Sequence, residues 1–421
     1  MFSQSATSLA ALLACAMLLQ SSVAGQDKPQ DSSATPSVTA LGKRRMDLEQ
    51  QIERVESKTD PASALRLRNL QEQLLQVTGE EDAARQQLPR ESKGIFGKPS
   101  FISIPVYYIT DRARGSAGKF GGVLRDHGLE YGRSNVTLGT DLGVRVDLIA
   151  GAHNLPQGHG IQPPTLQNTG AMRELLDAIG SSGIDPRGHR KRVLLFVHGY
   201  NVSFDDAVTA AARLATEVEF PVIPVAYSWP SDGTYVGYWH DEEIVRDSSS
   251  RFRNFLQELL TKSPTDVVIV CHSMGAREVT SALAELGHHG VQLPALHKVV
   301  FAAADIWSKE FMDTWPDLQK LEGVEFAFYV SNHDLALRLS HIVHKLPRLG
   351  DADPTITAPF GGITVDASAV DSVFQAAGHS YILNAPKIGA DLGAWVDGDT
   401  SPKDRGLLQI VRAGQSYYMF P

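Results

Sequence analysis

From residue 98 onward the apolar positions fall into short, nearly unbroken runs separated by stretches of helix length. "SIPVYYIT" and "GVRVDLIA" come first, then "RVLLFVHGY", "VIPVAYSWP", "DVVIVCHS", "KVVFAAADI" and "VEFAFYVSNHD", with "GITVDAS" as a late strand. A strand exposed on one face alternates apolar and polar residues. A strand covered on both faces does not, and such β-branched runs between helices mark a parallel sheet buried on both sides. The pattern predicts an α/β domain over residues 98–421, with a mostly parallel central sheet flanked by helices.

The first hundred residues read differently. The run from Leu9 to Leu19 is too short to span a bilayer, and small residues in "SVA" precede Gly25, so residues 1–25 are read as a signal peptide of an exported, periplasmic or secreted protein. "MFSQSATS" lacks the usual basic residues, and "LLAC" offers lipid attachment at Cys15 as an envelope-anchored variant. Residues 26–43, rich in Ser, Pro and Gln, read as a flexible linker. Leu48, Ile52 and Val55 then form one helical stripe and Leu70, Leu74 and Val77 another, with Asp60-Pro61 starting the second. Residues 44–92 are therefore expected to form a helical hairpin or coiled-coil extension. It either serves self-association or an envelope partner, or packs on its own domain.

Composition narrows the function. The 421 residues are 43% hydrophobic and carry a net charge of −9, with a pI near 5.9, which argues against a nucleic-acid partner. Loss of the signal leaves Cys271 alone, so no disulfide is expected. No Cys/His cluster suits a metal: His341 with His344, and His288 with His289, lack a carboxylate in register.

The chemistry concentrates in "TDVVIVCHSMGARE", residues 265–278, close to G-x-S-x-G with Cys271 in place of the first glycine. A serine on a tight strand-to-helix turn presents its hydroxyl beside a helix N-terminus, and small neighbours let the turn close. Ser273 is the expected nucleophile, with Cys271, His272 and Gly275 forming the elbow. A helix N-cap serine is the plainer alternative. Upstream, His198-Gly199 follow a strong strand where the second oxyanion loop belongs. The oxyanion donors expected are the N–H groups of Met274 and of Tyr200 or Asn201, while His198 is expected to hold the loop. Downstream come acid and base in order. Asp334 follows the later strand and is preferred, Asp305 is held in reserve, and His379 follows the last strand. Trp229, Tyr235, Tyr238 and Trp239 are candidates for an acyl or aromatic pocket, with packing on the domain as the alternative.

"FVHGYNVSFDDA", "SWPSDG", "CHSMG", "YVSNHDLAL" and "HSYI", with "YYITDRAR" on the first strand, resemble the bacterial α/β-hydrolases of unknown function grouped with esterases and lipases. The resemblance covers about residues 100–390. It implies the α/β-hydrolase fold, with Ser273, Asp334 and His379 matching the triad positions, and leaves the substrate open. The expectation is a serine hydrolase cleaving a small-molecule or lipid ester through an acyl-enzyme without metal or organic cofactor. A peptidase or acyltransferase would use the same residues. A non-catalytic binding protein on the same scaffold is the rival from another class.

Overall fold

The computed structural model describes residues 37–56, 61–86, 101–115, 119–139, 144–148, 165–181, 191–218, 221–231, 238–332, 337, 340, 346–352, 355–371, 385–398, 401–412 and 414–421. The signal segment lies outside these residues. The N-terminal helices are α1 (Val38–Glu56) and α2 (Pro61–Gln86). Their predicted stripes are buried, from Leu74 and Val77 at 1% exposure to Leu70 at 6%. Helix α1 begins inside the stretch read as linker, because Ser37 accepts the Ala40 N–H as a cap before the helix-forming "VTALGKRR".

The domain runs β1 (Phe101–Thr110), β2 (Arg112–Arg114), β3 (Phe120–Leu124), β4 (Glu130–Gly139), β5 (Val144–Leu148), α3 (Thr165–Ser181), β6 (Arg192–Val197), α4 (Phe204–Glu217), β7 (Val222–Ser228) and α5 (Tyr238–Lys262). It continues β8 (Val267–His272), α6 (Gly275–His288), β9 (Leu296–Ala302), α7 (Ser308–Leu318), β10 (Glu325–Val330), β11 (Ile363–Asp366), α8 (Ser368–Asp371), α9 (Pro386–Asp397), β12 (Leu408–Arg412) and β13 (Gln415–Met419).

One sheet has the order β12-β13-β11-β10-β9-β8-β6-β7-β1-β4-β5, and β2 pairs with β3 in a separate ribbon. Neighbours from β1 through β13 pair in parallel, while β12, β4 and β5 add antiparallel edges. Alternate residues of one strand enter opposite cores. Val268 and Val270 pack with α4 and α9, whereas Val267, Ile269 and Cys271 pack with α5 and α6. This two-sided burial is what made the strand runs unbroken.

Strand β6 pairs with β7 on one side and β8 on the other. The connection after β6 turns one way and that after β8 the other, so the sheet has a switch point between them. Such crevices at the carboxyl ends of parallel strands are where open α/β sheets bind ligands.

Candidate active site

Ser273 stands at this switch point. It follows β8, precedes α6, and has φ of 52°. A residue with a Cβ is strained in this left-handed region by an amount on the order of 1–2 kcal/mol. The turn is held from both sides: the Ser273 N–H donates to the Ala302 carbonyl (3.0 Å), and the Ser273 carbonyl accepts from Ala276 and Asp305 (each 3.0 Å). Two glycines make room. A Cβ at Gly275 would lie 2.4 Å from the His198 carbonyl oxygen, and one at Gly199 would lie 2.5 Å from Ser273 Cβ and 3.0 Å from its Oγ. Only bare backbone from the β6 loop can approach the serine this closely. Cys271 is fully buried, its Sγ 3.3 Å from the Val300 carbonyl, and burial pushes its thiol well above the usual range. It fills the elbow as a small apolar residue. Met274 sits at the head of α6, where no side chain caps the helix.

The loop after β6 is fixed group by group. His198 is 1% exposed and stacks on Trp229 with ring centroids 5.0 Å apart. Its Nδ1 lies 2.7 Å from the Gly199 carbonyl and its Nε2 lies 3.1 Å from that of Trp229. A neutral ring donates to only one. The Arg112 guanidinium, 3.4 Å from Nε2, favours a lone pair there and the proton on Nδ1. Burial first, and then Arg112, hold this imidazole well below the usual histidine range, which suits a structural role and not proton transfer. Asn201 has φ of 55°, and its N–H donates to Asp241 Oδ2 at 3.2 Å. That bond removes Asn201 from the expected oxyanion donors. The Val202 N–H donates to Ser231 Oγ (3.2 Å), and Ser203 closes the loop in a capping box with Asp206 at the start of α4.

Asp305, the reserve acid, is already occupied. Its Oδ1 accepts from Ser340 (2.6 Å) and pairs with Arg348 (3.3 Å), and its Oδ2 accepts from Tyr238 (2.7 Å) and Arg277 (3.3 Å). Burial alone would raise this carboxyl, but Arg277 and Arg348 hold it down at about 2. With both oxygens taken by two partners each, Asp305 has no place for an imidazole. It braces the elbow through its own N–H instead. Asp334 and His379 lie outside the described residues.

Two of the aromatic pocket candidates are packing residues. Trp229 is fully buried and donates its indole N–H to the His198 carbonyl (2.7 Å), while Tyr238 is 2% exposed, bonded to Asp305 and edge-on to Tyr200. Tyr235 and the Trp239 side chain lie outside the described residues. Arg112 and Asp241, which hold the loops around Ser273, escaped sequence reading. The only signal was "TDR" at the end of β1. Among the described residues no group of three or more His, Cys, Asp or Glu is arranged for a metal ion.

With this geometry in view, the family described as "Alpha/beta hydrolase of unknown function (DUF900)" matches residues 185–393. The uncharacterized protein alr1448 of Nostoc sp. is 25% identical over 26% of this chain, which spans about a third (35%) of that relative's length. Among solved structures, Aspergillus fumigatus lipase B aligns at a TM-score of 0.36 and 11% identity, covering 51% of this chain and 54% of its own. The dienelactone hydrolase of Anabaena variabilis aligns at 0.27 and 15%, covering 46% and 86%. Strand order, elbow and family match agree: the chain has the α/β-hydrolase fold, and over residues 185–393 it is similar to the alpha/beta hydrolases of unknown function.

Proposed function

We propose that the protein is a serine hydrolase of ester bonds, with Ser273 as nucleophile, His379 as base and Asp334 as the acid that orients it. The observation that carries this reading is the strained φ of Ser273, packed against the bare backbone of Gly199 at the head of an uncapped helix. An ordinary N-cap serine has extended backbone and spends its hydroxyl on its own helix; Ser273 does neither. In the proposed reaction His379 takes the hydroxyl proton as Ser273 attacks the carbonyl, and returns it to the leaving alcohol. The N–H groups of Met274 and Tyr200 hold the oxyanion, at roughly 3 kcal/mol per donor. Water then repeats the sequence on the acyl-enzyme.

The test is covalent. A fluorophosphonate probe labels Ser273 in the wild type, and Ser273→Ala abolishes both labelling and p-nitrophenyl ester turnover. His379→Ala depresses labelling strongly without loss of helical circular dichroism. A folded wild type that takes no probe and cleaves no ester overturns the reading in favour of a binding protein.

A further inference from the structure

We infer that Arg112 is the positioning residue of the oxyanion loop, a guanidinium buried behind that loop which ties it to the rest of the site; the inference rests on the serine-hydrolase reading. Arg112 lies outside residues 185–393, just past β1, yet its side chain reaches under the site. It is 1% exposed. Nε donates to Ser228 Oγ (2.8 Å), Nη1 to the carbonyls of Ser231 (2.8 Å) and Gly121 (3.0 Å), and Nη2 to the carbonyl of Val202 (2.6 Å).

Those partners belong to three separate segments: the loop after β6, the end of β7 with the loop that follows it, and the β2–β3 ribbon. Every partner is uncharged, and among the described residues no carboxylate lies within ion-pair distance. A buried cation without a direct counterion is costly to keep. Its fork geometry explains its retention, because five donors in one plane can join three segments of the chain where the single ammonium of a lysine cannot.

The bonds converge on the stretch that must be still. Val202 is held at its carbonyl by Arg112 and at its N–H by Ser231 Oγ. Ser231 in turn donates to Asp241 (2.5 Å), which takes the Asn201 N–H. Tyr200, the proposed donor, is the residue immediately before. Its direction is set by the fixed residues beyond it and by His198, whose ring also faces the guanidinium. The charge itself reaches the same loop, 3.4 Å from His198 Nε2, and a preorganised positive charge in a dry site favours a developing anion over a neutral ester.

The experiment compares wild type, Arg112→Lys and Arg112→Gln as full chains. Three quantities are read: kcat and KM for p-nitrophenyl acetate, the fluorophosphonate labelling rate, and amide exchange of the segment 198–203. Expected for Arg112→Gln is a fall in kcat and labelling of about a hundredfold, the scale of a small misplacement at a reacting centre. KM stays within about threefold and segment exchange rises at least about tenfold. Arg112→Lys, which keeps charge but not the fork, recovers part of kcat. Should Arg112→Gln fail to fold, Ser231→Ala and Asp241→Asn release the same loop and are expected to reproduce the kcat loss. A folded Arg112→Gln that labels as fast as wild type with unaltered exchange overturns the role of Arg112 alone. A wild type that takes no probe overturns the hydrolase reading, and this inference with it.

Discussion

Two carboxylates, Asp305 and Asp111, lie buried at strand ends of this sheet, and their surroundings are opposites. Asp305 is ringed by Tyr238, Ser340, Arg277 and Arg348 and is held down at about 2. Neither oxygen of Asp111 makes a hydrogen bond of good geometry; burial lifts it to about 6, with Arg251, Arg112 and the nearby Tyr227 hydroxyl pulling the other way. The Tyr227 hydroxyl and Glu278 Oε2, the nearby polar atoms, are unpartnered as well. Burial, and then the charge of Asp111, push Glu278 well above the usual carboxylate range. Asp111 adjoins Arg112 in sequence without pairing with it, because successive residues of an extended chain point to opposite faces. Burial alone therefore says little about a carboxylate's role; the donors around it decide whether its charge holds a network together, as at Asp305, or costs the fold stability, as at Asp111.

The largest expected effect separates catalysis from bracing. Asp334→Asn is expected to lower kcat by about three to four orders of magnitude, as when an imidazole loses its orienting carboxylate. Asp305→Asn, where folded, stays within about tenfold. Ester turnover by the two purified variants decides this, and the reverse result would make Asp305 the acid.

Asp305→Ala tests the bracing directly. It leaves buried Arg348 without this anion, while Arg277 keeps Glu242, and a loss of about 3–5 kcal/mol in urea unfolding is expected. A loss below about 1 kcal/mol would remove Asp305 from the frame of the elbow.

The pH dependence of stability sharpens the contrast in sign. Asp305 has a lowered folded value, so its contribution is complete above about pH 4 and is lost as pH falls toward 2. Asp111 has a raised value, so the fold binds its proton more tightly than the unfolded chain does. Stability then falls as pH rises from about 4 to 6 and stays low above that. Asp111→Asn is expected to remove this slope and to gain up to about 3 kcal/mol at pH 8, with little change at pH 4. Melting temperatures of wild type and variant across pH 4–8 would show it; parallel curves would refute it.

The smallest effect concerns Cys271. Cys271→Gly should cost about 1 kcal/mol, as glycine in a strand does, and should leave kcat within about threefold. A thiol needed for turnover would show as complete loss.

The central strands were legible because burial on both faces leaves few polar positions in them. Strand β4, "EYGRSNVTLG", and the β12–β13 hairpin were not, since these antiparallel pairings outside the doubly covered centre keep polar side chains and imitate loops. At the site, Ser273, Gly275 and Gly199 could be read from local spacing, because an elbow is a local structure. Arg112 could not: it meets Ser228 across 116 residues of sequence, and nothing near it announces that partner. Trp229 and Tyr238 show the complementary limit. An aromatic-rich stretch after a strand looks the same whether its rings line a pocket or fill a core, and the distinction rests on where the indole N–H and phenol hydroxyl find acceptors.

The backbone of Ser273 has one more consequence, for mutational libraries. At φ of 52° glycine is the unstrained choice, so Ser273→Gly should raise the melting temperature while removing the proposed nucleophile. Selection by heat resistance alone would therefore enrich inactive sequences at this position. A screen of this protein for robustness has to score turnover in the same round, or it will evolve the enzyme away.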